Sequence, residues 1–429
     1  MPRPRAVVVV TGSELVRGDR RDLNGPFLAR ELARLGLEPD RLLIVGDRPE
    51  ALAAALSEGL QADLCVVSGG LGPTHDDRTA EVVADAIGRR LVVDEALAAE
   101  IEAFSRGVAD RLRRPYADFV PGVLKQAALP EGGVSLGLAG TAPAILVEHG
   151  AGQVAIALPG PPAELKRLWP NAVAHPAFRR IIERAEAPKR RSLRFFGPTE
   201  SAVARALDEA GGEGDGVEVT VCARDLEIHV DLVVGPGGGQ RAETLADALR
   251  SSFPADLFAV DDERPVEEIV LDLCRERGLT LASAESCTGG MIGARLTSIA
   301  GSSDVYVGGV IAYANEVKEG ALGVPRDTLE AHGAVSPETA AAMAAGARRS
   351  LGAELAVADT GIAGPGGGSE DKPVGLVYIS VETPDGSTTE RFQLPGDRES
   401  VRARATALGL HMLRRMLAHS AQGSRKSAG

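Results

Sequence analysis

Lysine is scarce in this chain of 429 residues. Only six of its 47 basic residues are lysine. Arginine keeps its proton at accessible pH whereas lysine can lose it, so each lysine here is worth examining as a base or a compact phosphate partner. Lys125, Lys318 and Lys372 lie in segments that also carry other reactive residue types. These three are therefore candidate functional residues.

Long apolar runs, paired cysteines and an excess of positive charge are also missing. No run approaches the roughly 18 apolar residues that span a membrane, and the apolar run after MPRPR lacks a small-residue cleavage site. The four cysteines have no metal-ligand or redox spacing, which favours reduced thiols in the cytoplasm. A net charge of -13 argues against nucleic acid as the main partner. We expect a cytoplasmic protein that binds neither membranes nor nucleic acid.

Strand and helix patterns alternate at both ends of the chain. Near-continuous apolar strands such as RAVVVVT and LCVVS, separated by helical patterns, predict α/β domains with parallel sheets covered on both faces. The length exceeds what one hydrophobic core usually supports. We predict an α/β domain at 1–170, a small α+β module and linker at 171–262, an α/β domain at 263–420 and a disordered tail at 421–429.

Three neighbouring nucleophile types follow the predicted strand LTLASAE. Ser286, Cys287 and Thr288 precede Gly289 and Gly290 and then a helical pattern. Glycines permit close approach to a ligand, and the first free N–H groups of a helix can stabilise an oxyanion. The local alternative is that Ser286 or Thr288 only caps the helix. Cys287 is intrinsically the best nucleophile, but strand alternation points it away from the side that Ser286 faces.

A candidate base follows the next predicted strand. Tyr313 ends that strand, and Lys318 lies in the first turn of a helix, where the macrodipole lowers a lysine pKa. The alternative is a solvated lysine. Neither motif contains histidine, and the nearest one, His332, fits a loop or cap equally well. Serine activated by lysine, with tyrosine relaying protons, therefore fits better than a Ser–His–Asp triad.

Two glycine-rich loops follow other predicted strands. In DTGIAGPGGGSEDKPVG, backbone N–H groups could cradle a phosphate that Lys372 pairs with, although a flexible surface loop is the alternative. In the first domain, SGGLGPTHDD combines glycines with Asp76 and Asp77, which suit a phosphate and a divalent cation. The alternative there is that Asp77 only caps the following helix.

The C-terminal motifs resemble the nicotinamide-mononucleotide amidase family. AESCTGG, AGSSDVYVGGVIAYANEVK, TGIAGPGGG, KPVG and PGDRESVR occur in that family's order, within residues 265–418. The resemblance implies hydrolysis of nicotinamide mononucleotide to nicotinate mononucleotide and ammonia, with no cofactor. The catalytic residues that it implies are Ser286, Tyr313, Lys318, Thr360 and Arg398. The substrate-binding residues are Gly289, Gly290, Gly361, Gly364, Gly366 and Lys372.

The N-terminal motifs resemble the molybdopterin-binding-like domain of the CinA family. GSELVRG, DLN, VGD, SGGLGPTHDD, LKQAALP, GTAP and LPGPPAEL carry this resemblance, which with the amidase segment covers nearly the whole chain. It implies a KH-like middle module and, as in some members, hydrolysis of ADP-ribose with a divalent metal held by Asp76 and Asp77. The implied nucleotide-site residues are Gly69, Gly70, Gly72, Thr74, Lys125, Thr141 and Glu164.

This chain departs from the family pattern near its GTAP motif. Ala144 stands where the family usually has Gly, and Leu138-Ala139 where it often has Asn-Pro. The alternatives to a pyridine-nucleotide enzyme are a non-catalytic nucleotide-sensing or scaffold protein linked to competence, and a molybdopterin-binding enzyme. We also expect a homodimer or a higher homo-oligomer.

Overall fold

A computed structural model describes residues 3–185, 189–224, 226–384 and 386–426. The chain divides into two compact units, Met1–Pro188 and Lys189–Gly429. Among the described helices, none has the length and apolar character needed to cross a bilayer.

The first unit is a sheet with helices on both faces. Its strands are β1 (Arg5–Thr11), β2 (Glu38–Val45), β3 (Leu64–Ser68), β4 (Leu91–Val93), β5 (Ala128–Pro130), β6 (Val134–Leu138), β7 (Pro143–His149) and β8 (Gln153–Leu158). Its helices are α1 (Ser13–Val16), α2 (Asn24–Arg34), α3 (Pro49–Gly59), α4 (Thr79–Ala86), α5 (Glu95–Leu112), α6 (Val120–Gln126), α7 (Pro162–Ala174) and α8 (Pro176–Ile182).

Strand order in this sheet is β2-β1-β3-β8-β7-β6. The first four strands are parallel, and β1 and β3 are almost fully buried because helices cover both of their faces. β7 and β8 are joined by a short turn, which forces them to run antiparallel. The predicted parallel α/β domain is therefore confirmed, with two antiparallel strands added at one edge.

The second unit begins with a small α+β module. Four strands have the order β10-β11-β9-β12, all antiparallel. They are β9 (Lys189–Phe196), β10 (Val217–Arg224), β11 (Glu227–Val234) and β12 (Leu257–Val260), with helices α9 (Glu200–Glu209) and α10 (Gly239–Ser252). Burial alternates strictly along β11, as expected when one face of a sheet packs on helices.

The remainder of this unit is a five-stranded α/β domain. Its strands are β13 (Leu281–Glu285), β14 (Tyr306–Ile311), β15 (Leu355–Gly361), β16 (Leu376–Thr383) and β17 (Gly386–Gln393). Its helices are α11 (Val266–Arg277), α12 (Met291–Thr297), α13 (Asn315–Leu322), α14 (Arg326–His332), α15 (Pro337–Leu351) and α16 (Arg398–Lys426). The order is β14-β13-β15-β16-β17, parallel through β15 and antiparallel beyond it.

The small module packs tightly against α16. Phe196, at the end of β9, stacks on the fully buried His411 with ring centroids 3.7 Å apart, and Glu227 accepts a hydrogen bond from His411 Nε2. Arg415 donates to the carbonyl of Phe196. The small module thus packs on the α/β domain through Phe196 and keeps a core of its own, and the stretch 171–185 that we grouped with the module packs in the first unit.

The end of the chain also differs from the expected tail. α16 continues to Lys426, so residues 421–426 are helical where the sequence favoured disorder. Residues 427–429 lie outside the described part of the chain.

Candidate active site

Two central parallel strands place the candidate catalytic residues at one edge of the five-stranded sheet. β13 and β15 are paired with Glu285 opposite Asp359. Because the carboxyl ends of parallel strands meet at the same edge, Ser286 and Thr360 emerge side by side. The helix α13 follows the neighbouring strand β14 and brings Lys318 to the same place.

Ser286 and Lys318 are in direct contact. Lys318 Nζ lies 3.2 Å from Ser286 Oγ, and both side chains are buried, with Lys318 only 1% exposed. The same amine donates to the carbonyl oxygens of Ala312 at 2.7 Å and Tyr313 at 3.2 Å. Burial lowers the pKa of Lys318, and a negative charge on Asp359 would oppose that effect.

These three contacts match the hydrogen-bonding capacity of an uncharged amine. A neutral amine has two N–H donors, which the two carbonyl oxygens can accept, and one lone pair. Ser286 Oγ occupies the third position, where its hydroxyl can donate to that lone pair. A buried lysine surrounded in this way is poised to take the proton of the serine.

Tyr313, Thr360 and Arg398 complete the walls of a small cavity. Arg398 donates to the Tyr313 hydroxyl at 3.0 Å and to the carbonyl of Gly364 at 2.9 Å. Thr360 Oγ donates to the carbonyl of Ala334 at 2.7 Å. These three residues, with Ser286 and Lys318, line a cavity of about 170 Å³. The structure therefore brings all five residues implied by the resemblance together.

Most of the glycines that we expected to bind substrate do not line this cavity. Gly361 lines this cavity, whereas Gly289, Gly290, Gly364 and Gly366 are not among the residues that line it. Lys372 lies outside it too, and its amine donates to the carbonyls of His332 and Val335 at 2.8 Å. Lys372 thus ties its own glycine-rich loop to the loop that carries Ala334 and Val335.

Cys287 and Thr288 are held by contacts of a different kind. Cys287 is 6% exposed within the apolar core, although it also contributes to the cavity wall, and burial raises its pKa to about 12. A thiol in that state is a poor nucleophile at neutral pH. Thr288 Oγ contacts the carboxyl oxygens of Glu285 and Asp359. Thr288 does not cap α12, because the N–H groups of that helix start are accepted by Glu285.

The first unit carries the second candidate site at the end of β3. Gly69 and Gly70 adopt positive φ angles of 106° and 65°, and a side chain at either position would collide with Thr11 or Thr79. Thr79 Oγ donates to the carbonyl of Gly69 at 2.8 Å. These contacts fix the start of the loop, and Gly72 and Thr74 follow in the same loop.

The polar residues of this loop mostly contact the loop itself. Asp77 accepts from the backbone N–H of Thr74 at 3.0 Å and from its hydroxyl, and Lys125 donates to the carbonyl of Thr74. Asp76 is exposed, and its hydrogen bond with Thr74 lowers its pKa. Asp77 therefore closes a turn and does not cap α4, whose N-cap is Arg78.

Glu164 lies in the first turn of α7, and Thr141 lies in the connection between β6 and β7. Burial raises the pKa of Glu164, which is packed against Gly140. The side-chain amide of Gln126 donates to Thr141 Oγ at 3.5 Å and to the carbonyl of Leu71 at 3.0 Å. Gln126 thus connects Thr141 to the glycine-rich loop.

The donor set for a metal is small. Among the described residues, no group of three or more His, Cys, Asp or Glu side chains could hold a metal ion. Asp76 and Asp77 remain as two adjacent carboxylates. That set fits a cation such as Mg²⁺, which uses one or two carboxylates and takes its other ligands from substrate phosphate and water.

Comparison with known proteins covers both halves of the chain. Residues 7–180 match the family model of a probable molybdopterin binding domain, and residues 263–417 match that of the CinA C-terminal domain. A CinA-like protein from Mycolicibacterium gilvum (strain PYR-GCK) is 42% identical over 426 residues, covering 96% of this chain and 98% of that protein. This chain belongs to the CinA family. A CinA-like protein from Mycobacterium tuberculosis is 41% identical over 426 residues, covering 96% of this chain and 97% of that protein.

Solved structures of CinA relatives match the C-terminal part. The competence/damage inducible protein of Agrobacterium tumefaciens is 42% identical; the match covers 34% of this chain and 91% of that one, with a TM-score of 0.34. The protein CinA with unknown function from Thermoplasma acidophilum is 32% identical, with 40% and 96% coverage and a TM-score of 0.35. The family predicted from the motifs is confirmed by the full-length relatives.

Two buried carboxyls of this CinA chain were missed by the sequence analysis. Glu285 and Asp359 are 2% and 0% exposed and lie directly behind Ser286. Both stand in the quoted motifs, where each follows an apolar strand. An acidic residue at the end of a buried strand is the signal that could have identified them.

Proposed function

We propose that the C-terminal domain hydrolyses the carboxamide of nicotinamide mononucleotide to nicotinate mononucleotide and ammonia. One observation carries the proposal: Ser286 Oγ lies 3.2 Å from a buried lysine amine whose two N–H groups have carbonyl acceptors. A protein that only bound nucleotides would need no nucleophile beside a base. That contrast separates the amidase from the sensing or scaffold alternative.

The reaction uses one acid–base group in both directions. Ser286 Oγ attacks the amide carbon, and its proton passes to Lys318 Nζ. Lys318 then gives that proton to the amide nitrogen, so the C–N bond breaks, ammonia leaves and an ester to Ser286 remains. Water attacks the ester carbon and loses a proton to Lys318, and protonation of the departing Ser286 oxygen restores the enzyme.

The cavity dimensions and charge suit the amide end of a nucleotide. A volume of about 170 Å³ is below the roughly 300–1,000 Å³ of pockets that enclose drug-sized ligands. We infer that the pyridine ring with its carboxamide enters this cavity while the ribose phosphate stays at the cavity mouth. Arg398 contributes a permanent positive charge to the wall, which favours an anionic substrate.

Replacing Cys287 by alanine tests which neighbour attacks. The thiol is buried and its pKa is raised to about 12, so Cys287→Ala should keep the deamidation rate within about threefold of wild type. Ammonia release from nicotinamide mononucleotide is the measurement, with Ser286→Ala as the companion variant. A folded, inactive Cys287→Ala protein beside an active Ser286→Ala protein would assign the attack to the thiol.

We propose a second activity for the first unit, the hydrolysis of ADP-ribose to AMP and ribose 5-phosphate. The glycine loop at Gly69 and Gly70 supports it, because such backbone can approach a phosphate closely. Asp76 and Asp77 would hold a divalent cation, which neutralises phosphate charge when bound. We favour ADP-ribose hydrolysis over molybdopterin chemistry for this unit. Nicotinamide mononucleotide and ADP-ribose are fragments of the same dinucleotide, so the two units would process related substrates.

Chelation should separate the two activities. We expect EDTA to abolish ADP-ribose hydrolysis and to leave ammonia release from nicotinamide mononucleotide unchanged, because the described residues that line the Ser286 cavity include no carboxylate. Both products are measured on one preparation, followed by readdition of Mg²⁺. Loss of both activities on chelation would contradict the assignment of separate chemistries.

A further inference from the structure

The side chain of Thr288 links the two buried carboxyls, Glu285 and Asp359, that lie behind Ser286. Thr288 Oγ lies 2.8 Å from Glu285 Oε2 and also contacts Asp359 Oδ2. A threonine hydroxyl has one proton, so it can donate to only one of these two oxygens. The other contact is a hydrogen bond only when its carboxyl is protonated and donates to Thr288 Oγ.

The carboxyl of Glu285 is surrounded by hydrogen-bond donors. Its Oε2 accepts from the backbone N–H groups of Gly290 at 2.8 Å and Ile292 at 2.9 Å, and its Oε1 accepts from Gly293 at 2.8 Å. Ser283 Oγ donates to Oε1 at 3.1 Å. A proton on Oε2 would lie against two N–H donors, so the Thr288 hydroxyl donates to this oxygen.

Asp359 is therefore the carboxyl that carries the proton. Its Oδ1 accepts from the backbone N–H of Thr288 at 2.9 Å, and the N–H of Cys287 also donates to this carboxyl. Its Oδ2 contacts Thr288 Oγ, which has already given its proton to Glu285. Complete burial raises the pKa of Asp359 to about 7, which agrees with the hydrogen-bond count.

We propose that Asp359 is a protonated positioning residue for the deamidation reaction. Its carboxylic acid donates to Thr288 Oγ, the same carboxyl accepts the two N–H groups that follow Ser286, and its lack of charge keeps Lys318 in the neutral form. The inference rests on the proposed amidase function and adds to it the control of the base from behind the nucleophile.

The coupling between Asp359 and Lys318 gives the proposal a consequence for pH. An ionised Asp359 would raise the pKa of Lys318 and so favour the protonated amine, which cannot accept the serine proton. The charged and titratable groups that face Asp359 are Glu285 and Cys287 beside Ser286, and Lys318 on α13. From α16, Arg402 donates to the carbonyls of Cys287 and Thr288, and the positive charge of Arg398 also acts on Cys287.

Replacement of Asp359 by asparagine tests this arrangement because an amide resembles the protonated acid. Asparagine can accept the two N–H groups and donate to Thr288 Oγ but cannot ionise. In full-length protein we expect Asp359→Asn to keep kcat/KM within about tenfold of wild type. We expect the wild-type rate to decline above about pH 7, where Asp359 ionises. This decline should be absent in the variant, because asparagine cannot ionise. Asp359→Leu, which offers no hydrogen bond, should lose more than about tenfold.

An infrared measurement separates this inference from the amidase assignment. At about pH 6, where exposed carboxyls are ionised, the wild-type spectrum should contain a protonated-carboxyl band that Asp359→Asn lacks and the exposed control Asp327→Asn keeps. A folded Asp359→Asn protein that loses more than about tenfold in rate, or a spectrum without that band, would overturn the proposal. If Asp359→Asn does not fold, the band is followed in wild type alone. Its loss between about pH 6 and pH 9 supports a protonated Asp359, and a band that does not change overturns the proposal. Wild type that shows the band but releases no ammonia would refute the amidase function alone.

Discussion

Lys318→Met should lower the rate of nicotinamide mononucleotide deamidation by at least about a hundredfold, the range for removing an acid–base partner. Methionine fills the buried space of the lysine stem but cannot accept the Ser286 proton or return it to the leaving nitrogen. Steady-state ammonia release measures the effect, and Ser286→Ala should lose at least about as much. The exposed Lys189→Met is the matched control and should retain wild-type activity.

The sign of the pH dependence follows from the same lysine. Burial lowers the pKa of Lys318, so more of the amine is neutral at neutral pH than for an exposed lysine. As pH falls through that lowered pKa the amine becomes protonated and the rate should fall with it. An active Lys318→Met protein, or a wild-type rate that does not fall on the acid side of its optimum, would contradict the assignment of Lys318 as base.

Glu285→Gln should destabilise the second unit by about 3 kcal/mol, the cost of leaving buried N–H donors unsatisfied. The carboxylate accepts from the N–H groups of Gly290, Ile292 and Gly293. A glutamine amide would replace one acceptor oxygen by donors that face other donors. Thermal unfolding should show a fall of at least about 6 °C in Tm.

The exposed Glu316→Gln serves as the control for this stability change, and its Tm should stay within about 1 °C of wild type. Glu316 lies in the same domain but its side chain is exposed, so the substitution removes a charge without removing a buried acceptor. An unchanged Tm for Glu285→Gln would show that the start of α12 does not depend on this carboxylate.

The parallel sheets, though not their strand order, could be predicted from the sequence because buried parallel strands are apolar throughout. RAVVVVT and LCVVS became β1 and β3, and the short connection between β7 and β8 could only produce an antiparallel pair. The domain boundary was harder to place. α7 and α8 follow LPGPPAEL without a composition break, and their membership of the first unit depends on packing of Trp169 and Phe178 that no local pattern encodes.

The site divides in a similar way. Ser286, Tyr313 and Lys318 could be predicted because a polar residue after an apolar strand, or a lysine in a chain of arginines, stands out locally. The lowered pKa of Lys318 and its contacts with the carbonyls of Ala312 and Tyr313 could not, since they depend on burial and on the packing of other segments. The alternative that Thr288 caps the helix was wrong, because the partner of Thr288 is Asp359, 71 residues away in the chain.

The most direct test of the account is to incubate purified full-length protein with nicotinamide mononucleotide and to follow both products. The account predicts equimolar ammonia and nicotinate mononucleotide from wild type, with EDTA present, and neither product above background from Ser286→Ala. Absence of both products from folded wild type, or undiminished formation by Ser286→Ala, would contradict the claim that the Ser286–Lys318 pair hydrolyses this amide.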